Sequence, residues 1–211
     1  MFAKVLVLLF ALYRAEEEEF EVLPNGKMAV GTFLSKLKRV ANSYKTVYGW
    51  GTFGQPLSQN LINQKRNQYP SWWNANKCAQ MQKLLGQGYF CFDCVGLIKG
   101  TLWGWNGDAS KANGGASYGS NGVPDISADS MINYCSGVST SFKNLVAGEA
   151  LWMKGHIGVY IGQGMAIECT PAGSNNVQYS YVQMDKANSR TELDGLTRRW
   201  TKHGKLPYVQ Y

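Results

Sequence analysis

Gly155-His156-Ile157-Gly158-Val159-Tyr160-Ile161-Gly162-Gln163-Gly164-Met165-Ala166-Ile167-Glu168-Cys169-Thr170 decides how the second half of this chain folds. Two β-branched and aromatic runs flank Gly162-Gln163-Gly164, a turn composition, so the stretch reads as a β-hairpin. With a three-residue loop over 162–164, Ile161 faces Met165, Gly158 faces Glu168 and His156 faces Thr170. His156 and Glu168 then share one face as diagonal neighbours, roughly 7–8 Å apart along the backbone and within reach of long side chains. A two-residue loop shifts the register by one and sends them to opposite faces. Read alone, His156 is equally a hydrogen-bonded strand residue and Glu168 a solvated strand-end acid.

Short strands continue on both sides of the hairpin: Ala150–Met153, Val177–Val182 and Trp200–Val209, separated by turn residues such as Pro171–Asn176. Upstream the texture is helical. Val30, Phe33, Leu34, Leu37, Val40 and Ala41 form one apolar stripe, with Lys36, Lys38 and Arg39 off it. Further helices are expected over Ala79–Leu85 and Ser127–Tyr134, and residues 104–125 form a Gly/Asn/Ser-rich loop long enough to belong to a site. Helices first and antiparallel strands afterwards is the order of an α+β domain.

Between these halves lies Phe92-Asp93-Cys94-Val95-Gly96-Leu97-Ile98-Lys99-Gly100-Thr101-Leu102-Trp103. Leu97, Ile98, Thr101 and Leu102 recur at helical spacing, so a helix begins around Cys94 with Asp93 as its N-cap. A thiol on that first turn meets unpaired backbone N–H groups and the positive end of the helix dipole. Both favour the thiolate, the nucleophilic form, and the same N–H groups suit an oxyanion. The competing reading is a buried core thiol or half of a disulfide with Cys91. If the hairpin register holds, Glu168 orients the imidazole of His156, and His156 takes the proton of Cys94. The second histidine, His203, has no flanking carboxylate and reads as a structural or rim residue. Trp72, Trp73, Trp103 and Trp105 read as core or loop anchors, with a groove wall as the alternative.

Composition narrows the remaining choices. At 211 residues the chain holds one domain and can bury a core without a metal or disulfide cage. Its 24 glycines and 13% aromatic content favour a turn-rich, sheet-rich body over a helical bundle. Net charge is +7, but Glu16, Glu17, Glu18, Glu19 and Glu21 crowd one stretch; from residue 22 onward nine acids face 19 lysines and arginines, giving +10. Such a body is drawn to an anionic polymer: nucleic acid, membrane surface or bacterial wall. Five cysteines (Cys78, Cys91, Cys94, Cys135, Cys169) leave one thiol free for chemistry while four pair or stay buried. Two separated histidines and a lone Cys-x-x-Cys do not assemble a zinc site, so no metal and no cofactor is expected.

At the start, Lys4, the apolar run Val5–Tyr13 and Ala15 read as a secretory signal over residues 1–15, with an N-terminal packing helix as the alternative. An acidic linker or pro-segment follows over 16–27, and a catalytic domain over 28–211. The apolar run is shorter than the roughly 20 residues a bilayer span needs, so no stable membrane insertion is expected.

Three segments together resemble the signatures of the NlpC-type cell-wall cysteine peptidases and their CHAP relatives: Tyr48-Gly49-Trp50-Gly51, Asp93-Cys94-Val95-Gly96-Leu97 and Gly155-His156-Ile157-Gly158-Val159-Tyr160. The resemblance implies a papain-like α+β fold, N-terminal helices carrying the cysteine packed on a C-terminal antiparallel sheet carrying His and Glu. It implies a secreted enzyme hydrolysing peptidoglycan stem peptides, typically between D-γ-glutamate and the diamino acid. Cys94 matches the nucleophile, His156 the base and Glu168 the third residue; Tyr48, Asp93 and Gly155 fall to the oxyanion and substrate. Val95 stands where the family has Ser, and the stretch from Tyr48 to Cys94 is longer than usual. The implied partner is peptidoglycan, not nucleic acid, and the implied state a monomer. Alternatives are an N-acetylmuramoyl-L-alanine amidase of the same fold, a non-catalytic wall-binding module, and a thiol–disulfide oxidoreductase using Cys91 and Cys94.

Overall fold

The computed structural model describes residues 26–182 and 197–211. The signal-like segment and the run Glu16–Glu21 lie outside the described residues. Helix α1 (Val30–Ser43) buries Phe33, Leu37 and Val40 on the predicted stripe and leaves Lys38 and Arg39 exposed. Fully burying side chains of this size stabilises by about 1.5–3 kcal/mol each. Helices α2 (Gln59–Gln68) and α3 (Ala75–Gln82) follow, capped by Ser58 and Asn74, whose side chains accept from Leu61 N and Lys77 N. Helix α4 (Cys94–Leu102) is capped by Asp93 and α5 (Ala128–Tyr134) by Ser127.

Three short strands missed by the pattern reading, β2 (Thr46–Tyr48), β3 (Phe53–Pro56) and β4 (Phe90–Phe92), form a small sheet in the order β2-β4-β3. Helix α4 lies against it with every residue buried. Its two glycines allow this approach. A Cβ at Gly96 would fall 1.9 Å from the Thr52 carbonyl oxygen, and one at Gly100 would fall 2.2 Å from that of Phe53.

The main sheet has seven strands in the order β10-β9-β8-β7-β6-β11-β5. They are β5 (Ser136–Ser139), β6 (Ala150–Met153), β7 (His156–Gly162), β8 (Met165–Thr170), β9 (Asn176–Val182), β10 (Thr197–Arg198) and β11 (Lys202–Lys205). All neighbours are antiparallel except β10 and β9. Strand β1 (Met28–Ala29) pairs in parallel with β12 (Val209–Gln210). The single strand expected over Trp200–Val209 is broken into β11 and β12. Helix α4 packs across β7 and β8, so the α+β arrangement is as expected: a cysteine-bearing helix on an antiparallel sheet bearing His and Glu.

The hairpin reaches its expected register by another route. Gln163 and Gly164 both have positive φ, +54° and +71°, and form a two-residue turn with Gly162 paired to Met165. The register then shifts between Tyr160 and Gly162, so that Val159 pairs with Ile167. The extra residue at Ile161 is a β-bulge, and it undoes the one-residue slip that the tight turn imposes. Glu168 comes to lie beside Gly158, where an added Cβ would sit 3.2 Å from Glu168 Cβ. His156 and Glu168 therefore share a face although the loop has two residues.

Candidate active site

Cys94 is the first residue of α4, just after its N-cap. One Asp93 carboxylate oxygen accepts from Gly96 N at 2.6 Å and the other from Gly51 N at 2.8 Å, fixing the turn that presents the thiol. The backbone N–H groups of Ile157, Val95 and Cys94 lie close enough to Sγ to favour its anion. Burial, with the adjacent Asp93 charge, pushes the thiol up to about 12. The donors expected at the helix start are present, but burial outweighs them. A helix N-terminus lowers a thiol pKa when solvent shares the charge, but Cys94 is 6% exposed and the cost of a buried anion wins. For this sulfur to act as a nucleophile, a base must take its proton.

The base candidate begins β7, one residue before the Ile157 amide that approaches the sulfur. His156 Nε2 lies 2.6 Å from Glu168 Oε2. An ionised carboxylate only accepts, so Nε2 carries the proton and the neutral ring keeps its lone pair on Nδ1. Glu168 is fully buried. Burial alone would raise its pKa; the hydrogen bond and charge of His156, with the Arg198 guanidinium, bring it below the ordinary carboxylate value. Arg198 Nε donates to both Glu168 oxygens at 3.2 and 3.1 Å, and Nη2 donates to Thr170 Oγ1. Trp200 stacks on the imidazole, centroids 5.5 Å apart and planes 13° from parallel, holding the ring plane. Arg198 and Trp200 were missed by the sequence reading. They lie some 30 residues beyond Glu168, and no motif marks them.

Tyr48, Asp93 and Gly155 differ in what they have left to offer. The buried Tyr48 phenol is held well above its usual range by burial and by Cys94 and Asp93, so it stays a donor. The Asp93 oxygens are taken by the two backbone donors. Gly155 N donates at 2.8 Å to Asp129, which also accepts from Trp152 Nε1 at 2.9 Å; that amide is spent on shaping the β6–β7 turn.

Tyr48, Asp93, Cys94 and Gly155 line a cleft of about 1080 Å³, while His156 and Glu168 lie outside its lining. Its lining includes Cys94, Val95 and Lys99 of α4, one side of α2, and Ala109–Asn113, Tyr118 and Asp125–Ser127 of the long loop. Trp50, from the first motif, lines the cleft and is 45% exposed. Trp73, Trp103 and Trp105 are buried anchors, with Trp103 Nε1 donating to Val123 O and Trp105 Nε1 to Gly54 O.

All five cysteines are free, so no pairing occurs. Cys91 is fully buried, and burial pushes its thiol up to about 12. The absence of a carboxylate next to His203 in sequence is corrected in space: Glu149 Oε2 lies 2.7 Å from its Nδ1. Among the described residues no helix is long and apolar enough to cross a membrane, and no group of three or more metal-ligand side chains assembles.

No protein-family model matches the chain, and no curated protein matches it. Among solved structures the chain is similar to RipB, a peptidoglycan hydrolase from Mycobacterium tuberculosis, at 17% identity. The match covers 86% of this chain and 67% of that one, with a TM-score of 0.42. A superposition this loose assigns no role to any residue of the present chain.

Proposed function

We propose that this chain is a cysteine peptidase that hydrolyses peptidoglycan stem peptides, at the D-γ-glutamyl–diamino acid bond, outside the cell. One observation carries the chemistry. The imidazole of His156, clamped through Nε2 by the buried Glu168, begins the strand whose next amide approaches the Cys94 sulfur. That leaves Nδ1 as the basic nitrogen on the nucleophile's strand end. The wall substrate is supported by the three motifs and by the +10 charge from residue 22 onward, which suits a wall rich in carboxylates and phosphates.

The thiol proton passes to His156 as Cys94 Sγ bonds to the peptide carbonyl carbon. The carbonyl oxygen becomes an oxyanion facing the first-turn N–H groups of α4, with the protonated Tyr48 phenol as a further donor. The protonated imidazole then gives its proton to the departing amine as the C–N bond breaks, leaving a thioester. Water, deprotonated by His156, cleaves the C–S bond and restores the thiol. Because the resting sulfur is protonated, proton removal by His156 and attack belong to one step, and loss of His156 is not rescued by a pre-existing thiolate.

Mass analysis of fragments released from purified peptidoglycan, parent against Cys94→Ala, tests this reading. New amino termini on the diamino acid are expected from the parent alone. Free stem peptides cut at the sugar link would indicate an amidase, and no release by either protein would reduce the chain to a wall-binding module.

A further inference from the structure

The wall of the cleft formed by α2 carries a cation that the mechanism above does not use. Asn60, Gln64 and Gln68 line the cleft at successive four-residue intervals, so this helix turns a stripe of amides toward it. Lys65 lines the same wall and is only 7% exposed. Its ammonium donates to Gln68 Oε1 at 3.1 Å and lies 5.6 Å from the centre of the Tyr69 ring. Among the described residues no carboxylate comes within ion-pair distance of it.

A buried lysine without a carboxylate is unusual, because burial penalises its charged form. The two acids whose charges act on Lys65 are Asp93 and Asp125. Both are already engaged. Asp93 accepts from Gly51 N and Gly96 N, and Asp125 pairs with Lys99 and accepts from the Tyr118 hydroxyl at 2.6 Å. Lys65 is thus the buried cation of this cleft whose charge is left for an incoming anion; Lys111, on the loop, is exposed and its charge is already solvated by water.

We infer that Lys65 is a substrate-binding residue that receives a carboxylate of the stem peptide, with the α2 amides holding the peptide beside it. This rests on the proposed substrate class and adds to it a preference for acid over amide at that position. Burial lowers the lysine's pKa, so an arriving carboxylate both gains a partner and restores the charge that burial disfavours.

The test measures binding of synthetic L-alanyl-γ-D-glutamyl-diamino acid tripeptides to the full chain carrying Cys94→Ala, by calorimetry. Three forms are compared: free acid, amidated on the glutamyl carboxylate, and amidated at the C-terminus. The free acid is expected to bind roughly ten- to a hundredfold more tightly than one of the amides, the worth of a charge-assisted hydrogen bond. Adding Lys65→Met should abolish that difference, and Lys65→Arg should keep it. Equal affinities for all three peptides, an unchanged preference in Lys65→Met, or no binding of any peptide would overturn the assignment. Release of fragments from peptidoglycan by the parent is read separately, so a failed subsite and a failed peptidase reading give different results.

Discussion

The main sheet carries two histidine–glutamate pairs, and they differ in one nitrogen. His156 and Glu168 meet at 2.6 Å, His203 and Glu149 at 2.7 Å, and both carboxylates are buried. In the second pair the other ring nitrogen, Nε2, sits 2.9 Å from the Ser141 carbonyl, with the Phe142 ring 5.2 Å away. A carbonyl only accepts, so Nε2 donates and the ring has nothing left to give. Glu149 Oε2 also takes Val146 N at 3.1 Å, tying that loop to β6. In the first pair Nδ1 has no partner among the described hydrogen bonds, and the amide of the next residue, Ile157, approaches the Cys94 sulfur. A histidine held by a carboxylate is a fastener when both nitrogens are bound; with one nitrogen open it keeps the lone pair that the proposed mechanism requires.

The widest separation between the pairs should appear on truncation. His156→Ala should lower the hydrolytic rate by at least about 10²–10⁴-fold, the worth of a general base, and should cost less stability than loss of His203, because Arg198 still pairs with the buried Glu168. His203→Ala should do the reverse, costing about 3–5 kcal/mol of stability by stranding the buried Glu149, while the protein that remains folded keeps its turnover. Denaturant titration and initial rates on both variants check this, and similar outcomes for the two would erase the distinction.

A second experiment sharpens the role of the open nitrogen. With the Cys94 thiol pushed up to about 12, its alkylation by iodoacetamide should climb steadily from neutral pH upward, since only the anion reacts. The slope is about tenfold per pH unit, with no plateau below pH 7. A plateau there would mean a resting thiolate–imidazolium pair.

The smallest expected effect concerns Arg198, which touches only the first pair. Glu168 has a depressed folded pKa, so its contribution to stability is present above the ordinary value of 4.5 and is lost as pH falls through the lower folded value. Arg198→Met removes one of the charges that depress it, so acid-induced loss of structure and activity should begin at a higher pH, by a fraction of a unit. Acid titrations followed by tryptophan fluorescence report the shift; an unmoved midpoint would make Arg198 a surface bystander.

Much of this arrangement could be read from local patterns. The α1 stripe, the Asp93 cap and start of α4, and the strands at Ala150, His156 and Met165 carry their own periodicity or capping chemistry. What escaped depends on pairings distant in the chain. Glu149 meets His203 across 54 residues, and Arg198 reaches Glu168 across 30. The strands β2, β3 and β4 are too short to show an alternation. The bulge at Ile161 has no sequence mark, so the correct register followed from an incorrect turn length. The helix-end argument counts the donors around the thiol but not its burial, which depends on how the sheets and loops pack on α4.

The most direct measurement is the mass of the protein during turnover. On rapid acid quenching with a stem peptide, the parent should carry the acyl fragment as a thioester on the tryptic peptide containing Cys94. His156→Ala should accumulate no such adduct, and Cys94→Ala should neither form it nor cleave. Cleavage that persists undiminished in Cys94→Ala, or an acyl group found on another residue, would contradict the relay of Cys94, His156 and Glu168.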